Sequence, residues 1–509
     1  MKIGEVGVVR KMRSLCTGVL LLLALGAAGQ NTNPGVDDIF RPDELAVVYL
    51  TMDPADLVFL QDPANAESDE YKRATFRMVN SLMDTTLAKD VGVRLRGNTS
   101  RYAEKKSFKI DFREFGGKKF FEYKKFNFKA NVNDPSLIRE ALTLATYREM
   151  EIPAARTHHL RLYINGDYMG VYLNVEQVDD VFLNMRYGHE EGFLYKCSYG
   201  ANLQSSSQVF DEARFESEIN TSSDTRAELS QFVQKLNNIA TSAFPEEFEK
   251  IFHVDRYLRQ LAVESLLGHW DGYSYNQNNF YLFYNGETQK VEYIPYDADN
   301  TWGIDWVGQD WAVRDLNNWS YPGQPRPLTK RILAIPAYRA QYELYLKQLM
   351  ETSFNEATAL PQFAAYQSML DVAVMNDPYF SLMFGFTYND FTYSFNLKMS
   401  NHVKYGLKQY LDVRSEYAKT QVPRIVTASE EAVMADVVYP NPSAGPVMYF
   451  RTNMLSPQPP AVYSTTGQQL NINVQEVDDH QIEITLPQES PRGLYLLKVN
   501  EKVFKWVYR

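Results

Sequence analysis

Residues 269–276 read His269-Trp270-Asp271-Gly272-Tyr273-Ser274-Tyr275-Asn276, and Gln277-Asn278-Asn279 follow directly. Two short strand-like runs at 280–284 and 290–294 flank Asn285-Gly286, which predicts a β-hairpin. The second run ends at Tyr296-Asp297-Ala298-Asp299. An acid, an amide five residues later, a hairpin and a pair of acids therefore follow one another in this order.

The first eight residues fit the pattern H-x-D-x-x-x-x-N, which is the spacing of a kinase catalytic loop. In that loop the Asp accepts the substrate hydroxyl proton and the Asn holds a metal ion. Asp271 is then the candidate base and Asp297 the leading metal ligand, with Asp299 on the same side. Asn276 fits the metal position by spacing, and Asn279 competes with it. The alternative is that these residues only cap turns.

Basic residues that could bind phosphate lie upstream, around a glycine turn. Residues 91–96 alternate, which places Arg96 on the polar face of a strand before Gly97. Arg96, Lys106 and Lys109 are the candidate phosphate ligands, because backbone amides flanked by cations suit an anion. A solvated basic edge strand is the alternative. A phosphate-binding lysine also needs an anionic partner, and both Glu176 and Glu140 remain candidates.

The charge composition excludes one class of protein, and the N-terminal residues indicate where the protein is located. The 52 basic and 63 acidic residues leave a net charge of −11, which argues against a general nucleic-acid binder. Cations at 10–13, an apolar run at 15–25 and small residues at 27–29 predict a signal peptide over 1–29. No later segment reaches the roughly 18 apolar residues of a membrane helix. Cys197 would be the one cysteine of the mature chain, so no internal disulfide is expected.

The pattern of elements predicts an α+β chain with three parts. A strand-rich lobe over about 45–204 contains a helix from Ser136, its expected N-cap, to Glu149, and ends with a strand at 194–197. Helical periodicity dominates a second lobe over about 205–426, and both lobes form one unit over 31–430. Short strands with Gly and Pro turns over 437–509 predict a small all-β sandwich.

Taken together, the motifs resemble those of the CotH kinase family. The likeness extends over roughly 45–420 and rests on residues 93–101, 105–110, 138–140, 170–176, 271–281 and 295–299. It implies an atypical, two-lobed kinase-like fold that uses ATP with Mg²⁺ or Mn²⁺ to phosphorylate serine on secreted or coat proteins. By that likeness Lys106 or Lys109 meets phosphate, Asp271 is the catalytic acid/base and Asp297 binds metal. Tyr296 departs from the family, which often has Trp before the metal-binding Asp.

The C-terminal residues resemble a type A sorting domain of type IX secretion. Tyr439-Pro440-Asn441-Pro442, residues 463–467 and Gly493-Leu494-Tyr495 carry this likeness. It implies a Bacteroidetes-type bacterium, the type IX secretion machinery as a partner, and export to the cell surface or medium. The leading hypothesis is thus an exported CotH-like protein kinase. The alternatives are a non-catalytic surface, coat-assembly or adhesion protein, and a metal-dependent hydrolase using Asp271 and Asp297.

Overall fold

The computed structural model describes two stretches of the chain. The first covers residues 39–422 except 86 and 400, and the second covers 437–439, 443, 445–451, 460–478, 481–499 and 502–508. The predicted signal peptide lies outside the described residues. Among the described residues, no helix is both long enough and apolar enough to cross a membrane.

Seven strands close into a barrel in the order β1-β2-β3-β4-β5-β7-β6. Their bounds are β1 Ala46–Met52, β2 Lys72–Val79, β3 Ala88–Leu95, β4 Phe108–Asp111, β5 Lys125–Lys129, β6 Thr157–Ile164 and β7 Asp167–Val175. Alternating apolar residues such as Val93 and Ile110 are opposite each other in the register and fully buried in the barrel. The intervening residues Arg94 and Lys109, also opposite each other, therefore lie on the outer face.

Three helices accompany the barrel: α1 Pro54–Gln61, α2 Arg139–Glu149 and α3 Asp180–Tyr187. Helix α2 begins at Arg139, so the prediction that Ser136 is its N-cap is wrong. Leu137 has a left-handed backbone (φ 63°), which prevents the helix from starting earlier. The Asp134 carboxylate instead accepts a hydrogen bond from the Arg139 amide at 2.9 Å and from the Ser136 amide at 2.8 Å.

A second sheet is formed by β8 Gly192–Cys197, β9 Phe215–Ser217, β10 Phe280–Asn285 and β11 Lys290–Pro295, in the order β11-β10-β8-β9. The hairpin after the catalytic-loop motif is confirmed as β10 and β11. The prediction that residues 194–197 close the strand-rich lobe is wrong, because β8 pairs with β10. One face of this sheet buries Leu194, Tyr281 and Phe283 against Phe182 of α3.

The remaining helices pack around one large core. They are α4 Ala227–Asn238, α5 Phe244–Glu249, α6 Val254–Leu266, α7 Tyr273–Asn276, α8 Pro327–Leu333, α9 Pro336–Glu351, α10 Glu356–Met375, α11 Tyr388–Ser394 and α12 Leu407–Gln421. The periodic residues Leu229, Phe232 and Leu261 are buried in this core, as the helical pattern predicts. The same core includes side chains of α2 and of the second sheet.

The C-terminal part forms two further four-stranded sheets, in the orders β12-β13-β17-β16 and β15-β14-β18-β19. Their strands are β12 Val437–Tyr439, β13 Val447–Arg451, β14 Ala461–Ser464, β15 Gln469–Leu470, β16 Asn473–Asp478, β17 Gln481–Thr485, β18 Gly493–Val499 and β19 Lys502–Tyr508. Met448 and Ile484 from one sheet and Leu497 and Trp506 from the other share one core. The α+β class is thereby confirmed.

Candidate functional site

Lys129, the last residue of β5, joins three acids from two different parts of the chain. Its ammonium lies 2.6 Å from Glu140 of α2, 2.5 Å from Asp297 and 3.3 Å from Asp299. Burial opposes its charge, but the three carboxylates outweigh burial and hold the pKa of Lys129 well above its ordinary value. The barrel strand, helix α2 and the loop after β11 therefore converge on one cation.

The cluster brings three carboxyl groups to one lysine. Burial and the charges of Asp297, Glu140 and Asp271 together raise the pKa of Asp299 to about 8, against the effect of Lys129. Burial also raises the pKa of Glu140. Asp297 differs, because Lys129 and Arg96 outweigh its burial and lower its pKa. At neutral pH the Asp299 carboxyl thus holds a proton, which a bound cation would displace.

Asp271 is the second centre of the site, and asparagine amides surround its carboxylate. Asn276 donates to Oδ1 at 2.5 Å, Asn279 to Oδ2 at 3.0 Å and Asn300 to Oδ2 at 3.3 Å. Asn278 adds a longer hydrogen bond to Oδ1 at 3.4 Å. Burial raises the pKa of Asp271 to about 6 despite these amides, and Asp297 raises it as well. The carboxylate is held in place and has a pKa suited to accepting a proton near neutrality.

Local backbone conformation helps to orient Asp297 and Asn279. Asp297 and Asn279 both have left-handed backbone angles, with φ of 51° and 55°. Such conformations cost free energy in residues with a Cβ and persist where surrounding contacts enforce them, as at many active sites.

His269 is buried, and its Nδ1 lies 3.1 Å from the Tyr147 hydroxyl. The histidine thus fixes the start of the catalytic-loop motif to helix α2.

Arg96 connects the barrel to the acid loop. Its Nε donates to Asn127 Oδ1 at 2.9 Å, and its Nη2 donates to the Tyr296 hydroxyl at 2.8 Å. Tyr296, which stands where the family often has Trp, therefore binds this arginine through its hydroxyl. Burial opposes the charge of Arg96, but Tyr296, Asp297 and Glu140 outweigh it and raise the pKa.

Lys109 lies on the outer face of the barrel close to other cations. Burial, together with Lys125, Arg94 and Arg96, lowers its pKa to about 8, and Glu218 opposes the shift. Among the described residues, no acid lies within ion-pair distance of its ammonium. A cation that lacks a paired acid and is surrounded by like charges favours binding of an anion such as phosphate.

Two other predicted residues lie elsewhere. Lys106 donates to the Arg101 carbonyl at 2.8 Å and has no contact with the acid cluster among the described bonds. The expectation that Glu176 partners a lysine is wrong: its carboxylate pairs with Arg156 at 2.6 Å and with Arg186 at 2.5 Å. The two guanidinium groups thus pair with the buried Glu176 carboxylate, and the glutamate that pairs with a lysine of the site is Glu140, which contacts Lys129.

The residues present fit a divalent metal ion. Glu140, Asp297 and Asp299 each place a carboxylate oxygen within 4.8 Å of the others. Asn300 Oδ1 is buried and accepts no hydrogen bond from any described group, although its amide donates to Asp271. Carboxylate and amide oxygens are the ligands that Mg²⁺ and Mn²⁺ prefer. The donor set thus agrees with the predicted metal, with Asn300 as an additional ligand candidate.

Comparison with known proteins supports the resemblance found in the sequence. A family model described as CotH kinase protein matches residues 93–417, which is well over half of the chain. The chain belongs to the CotH kinase protein family. The CotH match begins in β3 and ends in α12, so it contains Arg96, Lys129, Glu140, Asp271 and Asp297.

Curated relatives of the CotH domain come from bacteria and fungi. Inner spore coat protein H of Bacillus subtilis is 29% identical over 295 residues, covering 57% of this chain and 79% of that protein. Spore coat protein homolog 1 of Rhizopus delemar is 27% identical over 266 residues, covering 48% of this chain and 41% of that protein. Invasin CotH7 of the same fungus is 26% identical over 253 residues, with coverage of 46% and 40%. The chain spans about two fifths of each of these two fungal proteins.

Sequence reasoning missed two residues of the candidate site, Lys129 and Asn300. Lys129 ends the alternating run Lys125-Phe126-Asn127-Phe128-Lys129, whose period of two indicates a strand with one basic face. That pattern was a usable signal, since it resembles the pattern around Lys109. Asn300 follows Asp299 directly and could have been included with the acid motif.

Proposed function

We propose that this CotH-family protein is an ATP-dependent protein serine kinase with an atypical, two-lobed kinase-like fold. The observation that carries the proposal is the cluster of Lys129 with Glu140 and Asp297 beside Asp271. Protein kinases combine a strand lysine paired with a helix glutamate, a metal-binding Asp after a hairpin, and a catalytic Asp with a nearby Asn. The same residue types converge in this chain from the corresponding kinds of element.

The outer face of the barrel would bind the phosphates of ATP. Lys129 contacts the acids, the Tyr296 hydroxyl binds Arg96, and Lys109 forms no ion pair with any acid that the structure describes. Phosphoryl transfer depends mainly on positioning and on neutralising phosphate charge. Lys129 and Arg96 lie at the acid cluster and Lys109 lies near Arg96, so these three cations meet that requirement.

Asp271 would act on the acceptor. As the serine oxygen bonds to the γ-phosphorus, the bond from that phosphorus to the oxygen bridging the β- and γ-phosphates breaks and ADP leaves. The hydroxyl proton passes to the Asp271 carboxylate, whose pKa of about 6 leaves it largely ionised at neutral pH. The asparagine amides keep the carboxylate oriented toward the acceptor.

Asp297 and Asp299, with Asn276, Asn279 or Asn300, would hold Mg²⁺ or Mn²⁺. When bound, the ion supplies positive charge that stabilises the phosphate oxygens of the nucleotide. Lys129 keeps Asp297 ionised. The amide side chains that donate to Asp271 through nitrogen can offer their oxygens to a cation.

The export route is part of the proposal. The signal-peptide pattern at 1–29 and the C-terminal likeness to a type IX sorting domain favour a secreted or cell-surface protein that meets the type IX machinery. Relatives named as spore coat proteins and invasins support an exterior location. The substrates would then be secreted or surface proteins.

The direct test uses the chain without residues 1–29, labelled ATP and Mg²⁺ or Mn²⁺. We expect ATP binding by calorimetry and incorporation of phosphate into serine. Asp271→Asn should abolish incorporation while ATP still binds, because the substitution removes the proton acceptor and leaves Lys129 intact. Asp167→Asn, at an exposed acid outside the site, is the matched control and should behave as wild type.

The relatives' names also favour a second candidate, a non-catalytic surface or adhesion protein. Wild-type protein that binds no ATP with either metal would favour this candidate over the kinase. Release of free phosphate from ATP without transfer to any protein would favour the metal-dependent hydrolase instead.

A further inference from the structure

A second concave site lies beside the catalytic loop, between residues 317–322 and helices α8 and α9. Its volume is about 480 Å³, within the range of pockets that bind small ligands or side chains. Trp319 and Tyr321 line it together with Asn317, Lys330 and Arg339. None of these residues belongs to the cluster around Lys129 and Asp271.

This pocket is connected directly to the turn that follows Asp271. The Tyr321 amide donates to the Ser274 carbonyl at 3.2 Å, and the Tyr321 ring contacts Tyr275 with centroids 4.9 Å apart. Thr329 of α8 bonds the Ser274 hydroxyl at 3.0 Å. Since Ser274 and Tyr275 follow Asp271 by three and four residues, a ligand in the pocket lies next to the loop that carries the proposed base.

The pocket is cationic. Lys330 donates to the Gln324 carbonyl at 3.0 Å, and Arg339 donates to the Leu333 carbonyl at 3.2 Å and to Asn317 Oδ1 at 3.1 Å. All three acceptors are neutral, and neither cation forms an ion pair with an acid in the described part of the chain. Asp315, the acid of the same loop, accepts hydrogen bonds from the amides of residues 317 and 318.

We propose that this pocket binds an anionic side chain of the protein substrate, a carboxylate or a phosphate, close to the serine that is phosphorylated. The proposal rests on the proposed kinase function and specifies its substrate class. Lys330 supplies a point charge and Arg339 a planar donor group, and together with Asn317 they suit an oxygen anion. The acceptor segment would thus carry acidic or already phosphorylated residues.

Peptide binding without ATP tests the pocket separately from catalysis. The probes are three fluorescein-labelled peptides with one central serine flanked by Asp, by phosphoserine or by Asn in otherwise identical sequences. By fluorescence anisotropy at low salt, we expect the anionic peptides to bind about tenfold more tightly than the Asn peptide. Added salt should reduce this preference because the pocket is open to solvent.

Variants assign the preference to the pocket. Lys330→Ser and Arg339→Gln should each reduce the anionic preference several-fold, and the double variant should remove it. Lys250→Ser is the matched control, because Lys250 is an exposed lysine that pairs with Glu246 and Glu247 outside the pocket. Thermal unfolding of each variant verifies that the fold is retained.

The outcomes separate the two proposals. A preference for the Asp peptide, the phosphoserine peptide or both, lost in the double variant, supports the pocket and identifies the source of the anion. Equal binding of all three peptides, or a preference that the double variant keeps, overturns it. If the preference holds while labelled ATP gives no transfer, the kinase proposal fails and the anion-binding pocket stands.

Discussion

Two buried lysines connect the barrel to the rest of the chain, and they differ in the number and the exposure of the acids that they contact. Lys105 is enclosed with Asp377, which lies beyond α10, at 2.7 Å, and it also donates to the Val171 carbonyl at 3.0 Å. Both side chains are 0% exposed. Lys129 instead faces three acids, two of which are 20–30% exposed. The first site is closed and pairs one acid with one lysine, whereas the second is partly exposed and brings three acids to one lysine.

The comparison shows how a structural ion pair differs from a candidate active site. Asp377 also accepts the Val171 amide at 3.0 Å and lies so close to Gly170 that a Cβ there would meet it at 2.2 Å. There is no room for a ligand at that pair. At Lys129 the partial exposure of Asp297 and Asp299 leaves room for one.

The largest effect is expected at the closed pair. Lys105→Met leaves Asp377 as an unpaired buried charge, which should lower the free energy of unfolding by about 3–5 kcal/mol. Chemical denaturation measures it. The double variant Lys105→Met with Asp377→Leu should recover part of the loss, and a single variant as stable as wild type would contradict the structural role.

Metal should stabilise the open site. At about 100 times its dissociation constant, Mg²⁺ or Mn²⁺ should raise the free energy of unfolding by about 2.7 kcal/mol, since only the folded state brings the acids together. A thermal melt with and without chelator measures the effect. Asp297→Asn should reduce it strongly and Asp167→Asn should not, and an equal response of both variants would exclude the acid cluster as the site.

Removing the open lysine should affect ligand binding more than folding. Lys129→Met should weaken ATP binding about 10- to 100-fold, measured by calorimetry, because a charge-assisted phosphate contact is lost. Stability should change less than in Lys105→Met, because Glu140 and Asp299 can take up protons. Lys250→Met is the control, because Lys250 is an exposed lysine that pairs with Glu246 and Glu247 outside the site. Unchanged ATP affinity in Lys129→Met would remove Lys129 from the site.

Lys109 extends the comparison to a lysine that forms no ion pair among the described residues. Its pKa of about 8 lies below the ordinary value, so its charge is present below pH 8 and lost above it. ATP affinity should therefore fall about three- to tenfold between pH 7.5 and 9.5. Lys109→Met should bind more weakly at pH 7.5 and lose this pH dependence. A wild-type affinity that is constant over this range would rule out Lys109 as a phosphate ligand.

The local part of the site was predictable, and the long-range part was not. Asp271, Asn276, Asn279, Asp297 and Asp299 lie within one short stretch, so spacing and a hairpin signal sufficed to group them. The choice of Lys129 over Lys106 depends on barrel register and on the position of α2, which follow from packing between distant segments. The same reason applies to β8, whose alternation indicated a strand without indicating β10 as its partner.

The first barrel strand has a practical consequence for handling the protein. β1 pairs with β2 on one side and with β6 on the other, yet both β1 and β2 precede residue 93, where the family match begins. A fragment cut at the family boundary would leave β3 and β6 with unpaired edges, which readily pair with other chains. Fragments beginning upstream of β1 should therefore stay monodisperse during purification, and fragments beginning at residue 93 should aggregate.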